Sequence, residues 1–191
     1  MAHVLFLLIT VCFLLLKNSV SWNISLKVNR FSSGAVGGEP FSTQPIISVF
    51  DKRGTTKLAD LIGWISVTLH ESPSHQRLGV AIGGMCKELN FGETHSVKLD
   101  GGEAIFENLC INEAGDNYKL RYILKDEHDL ILGHIVGGAF SVDVGEAFQI
   151  NVVRNPESAY GGLPWRTQPI VAIQDKGFNI VNTIHGGKVR G

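Results

Sequence analysis

Gly37-Gly38-Glu39-Pro40-Phe41-Ser42-Thr43-Gln44-Pro45-Ile46 is echoed by Gly161-Gly162-Leu163-Pro164-Trp165-Arg166-Thr167-Gln168-Pro169-Ile170, 124 residues further on. From 37–54 against 161–178, nine of 18 positions are identical without a gap. Phe41 faces Trp165, and Ile47 faces Val171. Upstream, Leu26, Val28 and Arg30 face Ile150, Val152 and Arg154. Self-similarity of this kind marks stacked supersecondary units. It places a first repeat at 22–146, a short joint at Val144-Gly145-Glu146-Ala147, and a partial second repeat at 147–191. The second stretch holds only the opening of a unit, too few strands to bury an apolar face alone. The expectation is a fragment, or a truncated form, of a longer repeat protein.

Outward from the repeat, apolar residues alternate with polar ones, the period of a half-buried strand. Ile24-Leu26-Val28, Ile47-Val49, Ile65-Val67-Leu69, Val97-Leu99, Ala104-Phe106, Leu109-Ile111, Tyr118-Leu120-Tyr122-Leu124 and Phe140-Val142-Val144 all follow it. Asp51 to Gly54, Asp100-Gly101-Gly102 and Ala114-Gly115-Asp116-Asn117 supply turns. Pro40, Pro45, Pro164 and Pro169 suit strand starts or edges, where a missing N–H is harmless. The pattern predicts an all-β chain, an immunoglobulin-like antiparallel β-sandwich followed by a truncated copy.

The order of motifs resembles the tandem bacterial-type immunoglobulin-like repeats of large cell-surface and secreted proteins. The residues that carry it are Gly38-Glu39-Pro40-Phe41-Ser42-Thr43-Gln44-Pro45-Ile46-Ile47-Ser48-Val49-Phe50-Asp51 and Gly102-Glu103-Ala104-Ile105-Phe106-Glu107-Asn108-Leu109-Cys110-Ile111. Ala114-Gly115 and Tyr118-Lys119-Leu120 complete the set. The resemblance implies a spacer or adhesion module arrayed in series. The chain departs from that pattern between Arg53 and Trp64 and between Ser72 and Glu93, which read as longer loops.

Residues 4–16 are apolar apart from Thr10, and Lys17 bounds them. A spanning helix needs about 20 apolar residues, whereas a run this short followed by Ser19-Val20-Ser21 fits a cleaved signal peptide, 1–21. Its removal takes away Lys17 and no acidic residue, leaving a formal charge of −2. Such a balance offers no electrostatic case for nucleic acid or anionic membrane. The expected location is outside the cell or on its outer face, with no span in the mature chain. Cys12 goes with the signal, leaving Cys86 and Cys110 in an oxidising compartment. A disulfide between them closes a loop of about 25 residues, worth roughly 3 kcal/mol on a loop-entropy basis. Asn23-Ile24-Ser25 is an N-glycosylation sequon.

Gly79-Val80-Ala81-Ile82-Gly83-Gly84-Met85 has phosphate-loop glycine spacing, but Met85 and Cys86 stand where Lys and Ser/Thr belong, so it reads as a flexible loop. His70, Glu71 and His75 read as solvated loop residues, and Asp126-Glu127-His128-Asp129 as a hairpin turn lacking calcium-loop spacing. Asp51 and Asp175 recur at equal repeat positions and read as turn residues bonding their own backbone. No nucleophile elbow occurs. No catalytic residue, metal ligand or cofactor is assigned. The expected function is a non-enzymatic extracellular module of an adhesion, receptor or spacer array, with neighbouring repeats and an extracellular protein or glycan as partners. The alternative is a carbohydrate-binding or accessory domain of a secreted hydrolase, drawing on Trp22, Trp64 and Trp165.

Overall fold

The computed structural model describes residues 24–73 and 76–182. The signal segment 1–21 and the sequon at Asn23 lie outside them. Strands follow in chain order: β1 (Ile24–Arg30), β2 (Ala35–Val36), β3 (Ile46–Asp51), β4 (Gly63–Glu71), β5 (Gly79–Ile82), β6 (Met85–Glu88), β7 (His95–Lys98), β8 (Glu103–Ile105), β9 (Leu109–Cys110), β10 (Gly115–Asp126), β11 (Ile131–Val136), β12 (Phe140–Asp143), β13 (Gln149–Arg154) and β14 (Ile170–Gln174). The described residues form no helix. None of them, therefore, makes a helix long and apolar enough to cross a membrane.

The chain is all-β, built of several antiparallel sheets and consistent with a β-sandwich. One sheet runs β1-β3-β8 and another β2-β12-β10-β4-β7, with β11 also paired to β10. The short β2 is the exception to antiparallel pairing, since it lies parallel to β12. Strand β10 shows why the sequence folds this way. Tyr118, Leu120, Tyr122 and Leu124 point inward and are buried, while the residues between them are more exposed. Pairing with β4 sets Tyr122 opposite Val67 and Leu124 opposite Ile65, so both strands aim the same face at the core. Leu26, Ile47, Val49, Ala104 and Phe106 meet these residues in one apolar cluster. Each large side chain so buried contributes about 1.5–3 kcal/mol. The Tyr118 hydroxyl donates to the Glu113 carbonyl at 2.9 Å, which gives a ring buried in the core a polar partner.

His95 sits half-buried with its ring 6.1 Å from that of Phe106. Burial pushes its imidazole below the ordinary value, because the charged form is disfavoured there. The unfolded chain then binds the proton more readily than the folded one. Stability is full above pH ~6.5 and is lost as pH falls through that value toward the lower folded one. Thermal unfolding from pH 7.5 to 5 should show a fall in Tm, and His95→Gln should flatten it. An unchanged slope in His95→Gln would refute the assignment.

The stretch from Gly79 to Met85, expected to be a flexible loop, is instead the heart of a hairpin. Strands β5 and β6 pair antiparallel from Gly79–Glu88 to Ile82–Met85. Gly83 and Gly84 have φ of 60° and 82°, the left-handed pair that a two-residue hairpin turn of the primed type requires. Strand β5 pairs on its other side with β9.

The echo in the sequence is an echo in register. In β1–β3, Leu26 pairs with Val49, Val28 with Ile47 and Arg30 with Ile46, with a bulge after Val28. In β13–β14, Ile150 pairs with Ile173, Val152 with Val171 and Arg154 with Ile170, with a bulge after Val152. The bridge Ser33–Thr43 has its counterpart in Glu157–Thr167. Arg30 Nε donates to the Gln44 carbonyl, and Arg154 Nε to that of Gln168. Burial is what differs. Leu26 is 9% exposed and Ile150 72%; Ile47 is 0% and Val171 54%. One hairpin is covered by β4 and β10, and the other presents the same face bare.

Candidate functional site

The polar feature of note is where the second hairpin meets the first unit. After β14 the chain turns through Asp175-Lys176-Gly177-Phe178-Asn179. Asp175 is fully buried. Its Oδ1 accepts the Asn179 backbone N–H at 2.8 Å, as an aspartate closing its own turn does. Its Oδ2 reaches further and accepts the N–H of Gly145 at 2.8 Å, in the segment between β12 and β13. The Asn179 side-chain amide donates to both Asp175 oxygens and, at 2.7 Å, to the Asn112 carbonyl. Its own Oδ1 accepts the Ala114 N–H at 2.8 Å. A buried carboxylate is tolerated when donors surround it, and bonds to the ionised form are the strong kind.

Small residues make the approach possible. A Cβ at Gly37 would come within 2.8 Å of Asp175 Oδ2 and of the Asn112 oxygen. Gly38, at φ 78°, leaves room for Lys176. At the rim Lys176 Nζ meets Glu39 Oε1 at 2.8 Å and lies 5.9 Å from the Phe148 ring. That ion pair is partly exposed and is worth about 0–1 kcal/mol. Gly145 itself packs on Val36 and Asp175. The arrangement is a turn acting as a plug, seated in a socket made of 37–39, 112–114 and 145.

The other residues singled out in the sequence fall into place separately. Cys86 and Cys110 come together, with sulfurs at the bonded distance of 2.08 Å and Cα atoms 5.8 Å apart, linking β6 to β9 across β5. Gly79 of β5 lies beneath, where a Cβ would stand 2.6 Å from Cys86 Sγ. Asp126 to Asp129 form the turn between β10 and β11, with Asp126 Oδ1 accepting the N–H groups of His128 and Leu130. His70 and Glu71 end β4, and His75 lies outside the described residues. Among the described residues no three His, Cys, Asp or Glu gather as metal ligands would. Trp64 and Trp165 are each 44% exposed, while Trp22 lies outside the described residues.

Comparison with protein-family models, with curated proteins and with solved structures gave no match.

The sequence reading of Asp175 as a turn residue accounts for the Asn179 bond and misses the rest. The signal that marks it is a contrast inside the repeat. Asp51-Lys52 and Asp175-Lys176 match, but Arg53 and Thr55 give way to Gly177 and Asn179, the two residues that fit the socket.

Proposed function

We propose that the chain is a non-enzymatic extracellular module of an immunoglobulin-like tandem array, working as adhesion unit, receptor ectodomain or spacer, with neighbouring units and an extracellular protein or glycan as partners. The observation that carries this reading is the shared register of the two hairpins, joined by a buried plug. A spacer needs units of one design held at a set angle, and a hydrogen-bonded joint of buried groups gives that. The immunoglobulin-like type draws support from two details. After β1, at the edge of one sheet, the chain passes to the other, where β2 pairs parallel with β12. The Tyr118 bond to a carbonyl five residues upstream has the form of the tyrosine corner of such sandwiches. The Cys86–Cys110 link suits an oxidising compartment.

The test is expression of the full chain in secreting animal cells. The expected result is protein in the medium that begins near Trp22, with Cys86 linked to Cys110 and Asn23 available for glycosylation. Retention in the cytosol with both thiols free would overturn the reading. The carbohydrate-binding alternative draws on Phe91, 92% exposed beside Gln76, Arg77 and Asn90 in a shallow groove. A glycan array probed with the full chain decides it, and silence at millimolar sugar removes it.

A further inference from the structure

The plug turn has a twin at the surface, with Lys52, Arg53 and Thr55 exposed. Asp51-Lys52-Arg53-Gly54-Thr55 aligns with Asp175-Lys176-Gly177-Phe178-Asn179 at the repeat offset and shares its first two residues. The backbones agree: Gly54 and Phe178 have φ of 70° and 68°. Gly54 N–H donates to the Asp51 carbonyl and Phe178 N–H to that of Asp175. Thr55 N–H donates to Asp51 Oδ1 at 2.9 Å, as Asn179 N–H does to Asp175 Oδ1 at 2.8 Å. These bonds hold the Asp51 carboxyl at about 2, with the Thr55 backbone N–H as the largest cause.

Three positions separate the twins: Gly54 stands where the second turn has the exposed Phe178, and the other two act at the socket. A Cβ on Gly177 would overlap the Asn112 carbonyl oxygen and stand 2.7 Å from Gly37 C and 2.8 Å from Gly38 N. Those are backbone atoms, which cannot swing aside as a flexible side chain can. The first turn carries Arg53 there. Asn179 supplies an amide N–H to the Asn112 carbonyl and an oxygen to the Ala114 N–H. The first turn carries Thr55, whose hydroxyl folds back to Asp51 Oδ1 at 3.3 Å and Oδ2 at 3.1 Å. It has no amide with which to make either bond across the joint.

We propose that the joint is a directional, sequence-gated docking site: its socket takes only a turn with glycine and asparagine at the positions of 177 and 179, and Arg53 and Thr55 bar the first turn from it. The partner class is thus another unit of this design bearing Asp-Lys-Gly-x-Asn. The consequence is that copies of the chain do not chain together through residues 51–55. The proposal rests on the tandem-module reading and adds to it the code that decides which turn enters.

Two variants of the full chain test it. Gly177→Arg with Asn179→Thr gives the second turn the first turn's residues at the two positions that act at the socket. Amide exchange at Gly145 and Ala114 should quicken about 10-fold or more as the plug leaves. In sedimentation velocity the protein should stay monomeric, because its vacated socket meets only Arg53 and Thr55. Adding Arg53→Gly and Thr55→Asn makes the first turn a competent plug. This four-fold variant should associate head to tail at millimolar protein, while circular dichroism confirms an unchanged β signal. Unchanged exchange at Gly145 and Ala114 in the two-fold variant would remove the joint, and the tandem reading with it. An open joint with a self-associating two-fold variant, or with a monomeric four-fold one, would overturn the gating alone.

Discussion

Phe106→Ala lowers the stability of the first unit by about 3–5 kcal/mol, the range for removing a buried aromatic ring that leaves a cavity. Phe106 is 0% exposed. Its ring lies 5.7 Å from Tyr122 and 6.1 Å from His95, so from its place just after β8 it packs against two strands, β10 and β7, of the other sheet. Tyr122 is fixed within its sheet by β4 and cannot collapse into the vacancy without breaking its pairing with Val67. The loss is a large share of the roughly 5–15 kcal/mol that a domain has. Urea denaturation followed by tryptophan fluorescence measures it as a lower midpoint with an unchanged slope. Phe91→Ala is the control. At 92% exposure it should move the midpoint by no more than about 0.5 kcal/mol. Equal effects from the two substitutions would show that Phe106 does not fill the core.

The second large effect comes from the disulfide. Cys86→Ala with Cys110→Ala should cost about 3 kcal/mol, from the extra freedom of the unfolded chain. Alanine is the right replacement because Cys110 is fully buried, and a serine hydroxyl there would need a partner. The loss has a local side too. Besides the disulfide, the β5–β6 hairpin joins the body through two residue pairs with β9 and a few hydrogen bonds, among them Cys86 N–H to the Gly38 carbonyl, Ala81 N–H to that of Asn108 and the Asn112 amide to Glu88. Without the covalent link, exchange in β5 and β6 should rise before that of β10. Non-reducing peptide mapping of the parent chain should return one Cys86–Cys110 peptide. Two alkylatable thiols would refute it.

Much of this was legible in the chain because burial on one face of a strand writes a period of two. Tyr118 to Leu124 show it, and their strand is the longest of the fold. The offset of 124 carried over to hairpin register, since a bulge and a proline-led strand start are local features. The β5–β6 hairpin was not legible: four-residue strands hold too few apolar residues to show a period, and two glycines read equally well as a loose loop. Strand β2 has two residues and a parallel partner more than 100 residues away, beyond any local pattern. Asp175 was half legible. Its turn is local, but its burial depends on Gly145 and on Asn179 reaching Asn112, 67 residues distant.

The bare face of β13–β14 and the plug beneath it bear on the order of folding. Synthesis proceeds from the N-terminus, and domains form as units in that order. The socket residues 37–39, 112–114 and 145 all precede the plug in the chain, so they are synthesised before it. The hairpin is pinned at its tip although Ile150, Val152 and Val171 are exposed. The socket then serves as the template on which the β13–β14 hairpin is set, with its orientation fixed by the turn. An unpinned hairpin with the same apolar face would be free to add to any exposed strand edge nearby.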